Sequence, residues 1–206
     1  MNPGYATAHH WYAHYWLAAG NTEAALDEAN KALRLDPLSS IINTSVGWCL
    51  YHARRYPEAI DQYRNTLKLD DRFAVAHCAL GMALVQERQF ASADAEFDRA
   101  LELGGTPAFA LAAKASTYGL AGKRPQALTT LARLHGLAAD HYVPALYFAG
   151  AYAELGERDR SLSYLEKAYE ERAEYLLYLQ SDPWFSGLLA DERFRRILHL
   201  VGTKRF

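Results

Sequence analysis

Residues of one size class recur every 34 positions along this chain, and no other feature of the sequence restricts its fold so strongly. Ala25, Ala59, Ala93, Ala127 and Ser161 form a column in which every side chain is small. Ala13, Gly47, Gly81, Ala115 and Ala149 form a second, twelve residues earlier in each unit. Bulkier columns run beside them: Trp16, Leu50, Leu84, Tyr118 and Tyr152, and, with one small member, Ala29, Tyr63, Phe97, Leu131 and Leu165. A third column, Ala32, Thr66, Ala100, Leu134 and Ala168, is small except at Leu134. All of these keep step without an insertion or deletion.

Spacings of three, four and seven in segments of about a dozen residues are helical, so each unit reads as a helix pair. The turn inside each pair carries Gly20, Arg54, Arg88, Gly122 and Gly156, and Pro57 and Pro125 stand in the first turn of the second helix. Small residues let helix axes approach, and large ones fill the adjoining grooves. A lone pair leaves one face wet, so the units must stack. With 50% apolar residues the 206-residue chain can bury a substantial core. Its 22 basic and 24 acidic residues give a net charge of -2, which supplies no drive toward nucleic acid or an anionic membrane. Cys49 and Cys78 form no CxxC motif, and a reducing, cytoplasmic compartment is expected. No apolar run approaches the ~20 residues that span a bilayer, and the first residues lack a signal-peptide pattern, so a soluble chain with no membrane partner is expected.

Leu80-Gly81, Leu84, Ala93, Phe97 and Ala100 in the third unit, with Ala13, Ala25, Ala32 and Pro37 in the first, resemble the tetratricopeptide repeat (TPR) family. The resemblance covers roughly residues 6 to 175. It implies an all-α, right-handed superhelical solenoid of five helix-turn-helix units, 6–39, 40–73, 74–107, 108–141 and 142–175, within a single domain spanning 1–206. Lys114 replaces an apolar residue of the family pattern, Leu134 a small one, and Asp71 and Gly105 the proline, so the fourth unit departs most. Pro183 then breaks the period. Residues 176–206 are expected to cap the array, with a helix around Glu174 to Gln180, a proline-bearing turn, and an amphipathic helix from near Asp191 that presents Phe194, Ile197, Leu198 and Val201 on one face.

Pro3 lies 34 residues before Pro37, where the tail of a preceding unit would sit, so the natural protein is expected to continue N-terminally; a short proline-bearing arm is the other reading. The stretch from Asn2 to Tyr12, with Asp36-Pro37-Leu38-Ser39 and the tail Ser181-Asp182-Pro183-Trp184-Phe185, is similar to the C-terminal repeat segment of bacterial multidomain signalling and transcription-regulatory proteins. That resemblance implies a regulatory, partner-binding role.

Linear catalytic motifs are missing: the sequence holds no P-loop, GxSxG, HExxH or glycine-rich dinucleotide turn, so no catalytic residues, no enzyme activity and no cofactor are expected. Carboxylates such as Glu23, Asp27 and Glu28 read as solvated helix surface. His10 and His14 share a helix face at a spacing that can serve one metal ion, but no third ligand completes the set and no metal is assigned. Cys49 and Cys78 read as packing residues.

In arrays of the family this chain resembles, the first helices line a concave groove for peptides. Carried over, the groove positions are His10, His14 and Leu17; Thr44, Trp48 and Tyr51; Cys78, Met82 and Val85; Ala112, Ser116 and Gly119; and Leu146, Gly150 and Ala153. This groove is apolar and aromatic, without the lysine, asparagine and arginine cluster that chaperone-binding members use to clamp a carboxylate. It can receive a protein or peptide with apolar anchors, with Trp48, Tyr51 and Met82 as contacts. Alternatively it is covered by another part of the protein or a second copy, or it holds a small apolar ligand as a sensor. Trp11, Tyr12, Tyr15 and Trp16 form an aromatic cluster through which a homodimer could form.

Overall fold

A computed structural model describes residues 4–203, and the expectation placed on Asn2 and Pro3 lies outside that range. The described residues form eleven α-helices and two 3-10 helices, with no strand. Helices α1 (Ala6–Ala18) and α2 (Thr22–Leu35), α3 (Ser40–His52) and α4 (Tyr56–Leu69), and α5 (Ala74–Gln86) and α6 (Phe90–Leu103) pack as consecutive hairpins. So do α7 (Pro107–Leu120) with α8 (Arg124–Asp140), and α9 (Ala145–Glu154) with α10 (Arg158–Glu170). Two 3-10 helices, Glu174–Tyr178 and Pro183–Leu188, lead to α11 (Glu192–Thr203).

The chain divides into two compact units, Met1–Thr106 and Pro107–Phe206, and the division falls at the boundary between the third and fourth hairpins. In the first, α1 packs on α3 and α3 on α5, while α2 meets α3 and α4 meets α5. In the second, α7 packs on α9, the Pro183–Leu188 turn packs on α9, and α11 packs on α10.

The second and third hairpins are each closed by a small-to-large contact between their two helices. A Cβ placed on Gly81 would stand 2.5 Å from the Phe97 ring, and one on Gly47 would run into the Tyr63 ring just as severely, so in both places an aromatic lies against bare backbone. Where the small residue is alanine, its partner 16 positions on is shorter: Ala29, Leu131 and Leu165 stand opposite Ala13, Ala115 and Ala149. All of these partners are buried. The column Ala25, Ala59, Ala93, Ala127 and Ser161 is wholly shielded from solvent, and the Ser161 hydroxyl donates to the Ala149 carbonyl at 2.8 Å.

The turn residues Gly20, Arg54, Arg88, Gly122 and Gly156 all have positive φ, between 57° and 81°. Glycine adopts this region freely, and the two arginines carry the strain of a β-carbon there. A polar clamp also repeats. Asn43 donates to the Pro37 carbonyl at 2.9 Å and accepts from Gln62 at 3.0 Å. One repeat later His77 donates to the Asp71 carbonyl at 3.0 Å and meets the Glu96 carboxylate at 2.6 Å. His9 and Glu28 hold the matching positions in the first hairpin, at 2.6 Å.

The boundaries drift in the later repeats. Helix α8 runs to Asp140, because its last turns lack the Asp-Pro or left-handed glycine that ends α2 and α6, and α9 begins only after Pro144. Lys114 is buried and its ammonium lies 5.7 Å from the centre of the Tyr118 ring, so an aromatic face takes the place of the expected apolar contact. In the tail, the helix expected over Glu174 to Gln180 is a 3-10 helix ending at Tyr178, and the proline-bearing turn is a second one. Asp182 is extended there, and its side chain caps Trp184 N–H at 2.9 Å. The last helix places Phe194 and Ile197 in the core. Asp191 caps it, and Arg193 joins it to Glu166 of α10 at 3.0 Å.

Gly81→Ala is expected to destabilise the chain by about 1–3 kcal/mol, because overpacking against Phe97 outweighs the gain in helix propensity. Adding Phe97→Leu should recover most of that loss, since Ala with Leu is the pair at Ala115/Leu131. Gly136→Ala, which meets nothing within 4 Å in α8, should instead stabilise by about 0.5–1 kcal/mol. Denaturant titration of the three variants checks this.

Candidate functional site

Helices α1 and α3 pack side by side in the first unit, and a chain of polar and aromatic side chains runs along the contact. Ser45 Oγ donates to the Ile41 carbonyl at 3.1 Å and is hydrogen-bonded to His10 Nδ1 at 3.0 Å. His14 Nε2 approaches the same hydroxyl at 3.4 Å, and the His10 and His14 rings stand 4.9 Å apart. One turn further on, Trp48 stacks on Tyr51 with ring centres 5.5 Å apart and meets His52 edge-on at 4.6 Å. Loss of water on burial lowers the affinity of all three histidines for a proton. It brings His14 to about 4, helped by nearby His10, and His52 to about 3, helped by Arg54 and His14. Burial pushes the thiols the other way, Cys49 to about 12 and Cys78 to about 11, so both stay protonated and unreactive at neutral pH.

Of the residues assigned to a groove from sequence, His10, Leu17, Thr44, Tyr51, Cys78, Met82 and Val85 are buried in the first unit and Ser116 is buried in the second. His14 and Trp48 remain half-buried. Several of the buried ones are engaged locally: Thr44 donates to the Ser40 carbonyl, Ser116 to the Ala112 carbonyl, and Cys78 Sγ lies 3.2 Å from Thr106 Oγ1. They build the wall of this face more than its surface. Sequence reasoning passed over Ile41 and Val75, which are 56% and 40% exposed. They stand three residues before Thr44 and Cys78, one turn earlier on the same helices, so extending the assigned positions by one turn would have found them.

In the second unit the corresponding face is filled. A Cβ on Gly150 would lie 2.7 Å from the Trp184 ring, and the Phe109 ring meets Trp184 at 6.0 Å. A Cβ on Gly119 would lie 2.7 Å from the Glu154 carbonyl oxygen, which brings α7 and α9 into close contact. The Glu154 carboxyl is pushed up to about 7, first by burial and then by the Asp182 carboxylate.

These histidines and Glu154 respond to pH in opposite directions. A histidine held below its ordinary value of 6.5 takes up its proton more readily when unfolded, so its contribution is present above that value and is lost as pH falls toward 4. Glu154 is held above 4.5, so its contribution is present below that value and is lost as pH rises toward 7. His14→Gln should therefore flatten the acid limb of stability, and Glu154→Gln the limb between pH 4.5 and 7, each by about 1–3 kcal/mol. Denaturant titrations from pH 4 to 8 read both, and an unchanged acid limb in His14→Gln would reject the histidine assignment.

Among the described residues, no three His, Cys, Asp or Glu side chains are grouped so that they could hold a metal ion. Nor is any described helix long and apolar enough to cross a membrane. Residues 13–72 match the tetratricopeptide repeat family model. Curated proteins give no match. Among solved structures, the chain is similar to a thermophilic TPR protein of Thermus thermophilus, at 20% identity and a TM-score of 0.67, over 90% of this chain and 100% of that one. It is also similar to the Cut9–Hcn1 assembly of the APC/C, at 13% identity and a TM-score of 0.69, over 98% of this chain and 44% of that one. A third likeness is to YrrB, a TPR protein with an unusual peptide-binding site, at 24% identity and a TM-score of 0.52, over 87% and 93% of the two chains. The hairpins, their small-to-large contacts and these likenesses together make this an all-helical chain with the tetratricopeptide repeat fold.

Proposed function

We propose that this chain is a non-catalytic protein-interaction module whose first unit receives an apolar or amphipathic segment of a partner protein. The observation that carries the reading is Trp48, an indole held in place by Tyr51 and His52 but still reached by solvent, with exposed Ile41 two turns before it on α3. A preordered aromatic beside exposed apolar residues concentrates binding energy at little entropic cost. The fold supports the reading, since YrrB, a TPR protein of similar fold, has an unusual peptide-binding site. His14 and Val75 border the contact. His10, Leu17, Thr44, Tyr51, Cys78 and Met82 shape it from beneath. We further propose that the module is the regulatory part of a larger cytoplasmic bacterial signalling or transcription-regulatory protein, on the strength of its repeat-segment resemblance and near-neutral charge.

Peptides selected from a displayed random library against the whole chain provide the test. Trp48→Ala and Ile41→Asp should each weaken the selected peptide by about 5–30-fold, equivalent to roughly 1–2 kcal/mol, while helicity stays unchanged. Unaltered affinity in both variants would remove this face from the function.

Self-association has its own support. Trp11 and Tyr15 on α1 are 61% and 46% exposed, and Tyr12 stacks on Tyr15 with ring centres 5.6 Å apart. The residues 34 positions later, Ser45 and Cys49, are buried. The outer face of α1 thus offers a second copy an aromatic surface of the kind that repeats bury against one another. Sedimentation across a wide concentration range should show a dimer that Trp11→Asp with Tyr15→Asp abolishes; a monomer throughout would dismiss this reading.

A further inference from the structure

The site in the second unit already has an aromatic guest. Trp184 lies against the bare backbone of Gly150 on α9 and beside the Phe109 ring of α7, with only 7% of its surface exposed. Gly150 and Ser116 occupy the same position in the repeat as Met82, Trp48 and His14, so the guest lies on the face where the first unit carries its own bulk. The segment that delivers Trp184 is a single 3-10 helix that also buries Phe185 and Leu188, and three of its hydrogen bonds are local. Phe185 N–H donates to the Asp182 carbonyl, Ser186 Oγ to the Pro183 carbonyl, and Asp182 caps Trp184 N–H. The Asp182 carboxylate also stands near enough to the partly buried Glu154 carboxyl to oppose its ionisation. The aromatic contact is therefore a good seat, and the acidic flank works against it once Glu154 is charged.

We infer that Asp182–Leu188 is an internal ligand of the second unit, and that the Gly150/Phe109 seat is a binding site for a partner segment of the same chemistry, an aromatic anchor following an acidic residue and proline. This site is separate from the face proposed on the first unit, and its failure would leave that proposal standing. Glycine is what makes the seat, since any side chain at position 150 would take the space of the indole.

The test uses the full chain with Trp184→Ala and a fluorescent peptide of the sequence from Ser181 to Ala190. The variant is expected to bind this peptide at least tenfold more tightly than the wild-type chain, whose own Trp184 competes. Binding should disappear when Gly150→Leu is added to the variant, or when alanine replaces tryptophan in the peptide. Equal affinity for wild type and variant, no binding by a folded variant, or binding that survives Gly150→Leu would each overturn the inference. Hydrogen exchange on the wild-type chain decides the matter even where Trp184→Ala does not fold. Amides of 184–189 should exchange through an opening that leaves α9 protected. If they exchange only together with α9, the segment is an integral part of the core and the inference falls. A wild-type dimer that trades this segment between copies would assign the seat to a second copy and likewise overturn it.

Discussion

Everything in this molecule depends on how closely two helices of a hairpin can approach. At Gly47 and Gly81 the first helix offers only backbone, and an aromatic ring from the second helix occupies the space a methyl group would need. At Ala115 and Ala149 the methyl is present and the residue 16 positions on is leucine, smaller than an aromatic ring. Packing density is thus kept by trading volume across the contact, as a close-packed interior requires. The columns at Ala25 and Ala32 and their repeats are buried along the same helices. The hairpins within each unit then stack in register.

The same economy of volume decides where function can reside. In the first unit the positions along α1 and α3 carry imidazole, indole and phenol groups. Burial leaves the histidines neutral at pH 7, and His10 and His14 serve as polar packing around Ser45. In the second unit the equivalent positions are Ser116 and Gly150, and the space they leave is filled by Trp184 from the tail. One face thus keeps its aromatic residue as part of the repeat, whereas the other borrows one from a segment outside the repeats. The two arrangements differ in what holds them: Trp48 is braced by its own helix, and Trp184 by a 3-10 turn beside two carboxyls.

Much of the architecture was legible in the sequence because periodicity records what each position must tolerate. A position that faces backbone must be small, and that demand shows as a column whatever the surrounding residues are. The left-handed turn residues were visible for the same reason at Gly20, Gly122 and Gly156, and their periodicity carried the assignment to Arg54 and Arg88, where composition gave no signal. Less legible was the exposure of the groove residues. Cys78, Met82 and Val85 are all where the spacing places them along α5, yet they are buried, while Ile41 and Val75 one turn earlier are open to solvent. Spacing gives the face of a helix, but the depth at which that face sits depends on what packs against it.

The sequence by itself determined the helical hairpins, their 34-residue step and the small and large columns along them, because each of these follows from side-chain volume and backbone freedom at fixed spacings. Only the tertiary structure decided that Asn43 with Gln62 and His77 with Glu96 are versions of one clamp, since the partners lie 19 residues apart on different helices. It alone placed Trp184 against Gly150, across a separation of 34 residues that ends outside the repeating pattern. Trp184 falls one repeat step after Gly150, but Pro183 breaks the helical pattern there, so spacing alone does not announce the contact. Its existence depends on the path of the chain after α10, and that path is set by how Pro183, Phe185 and Leu188 find buried positions in the second unit.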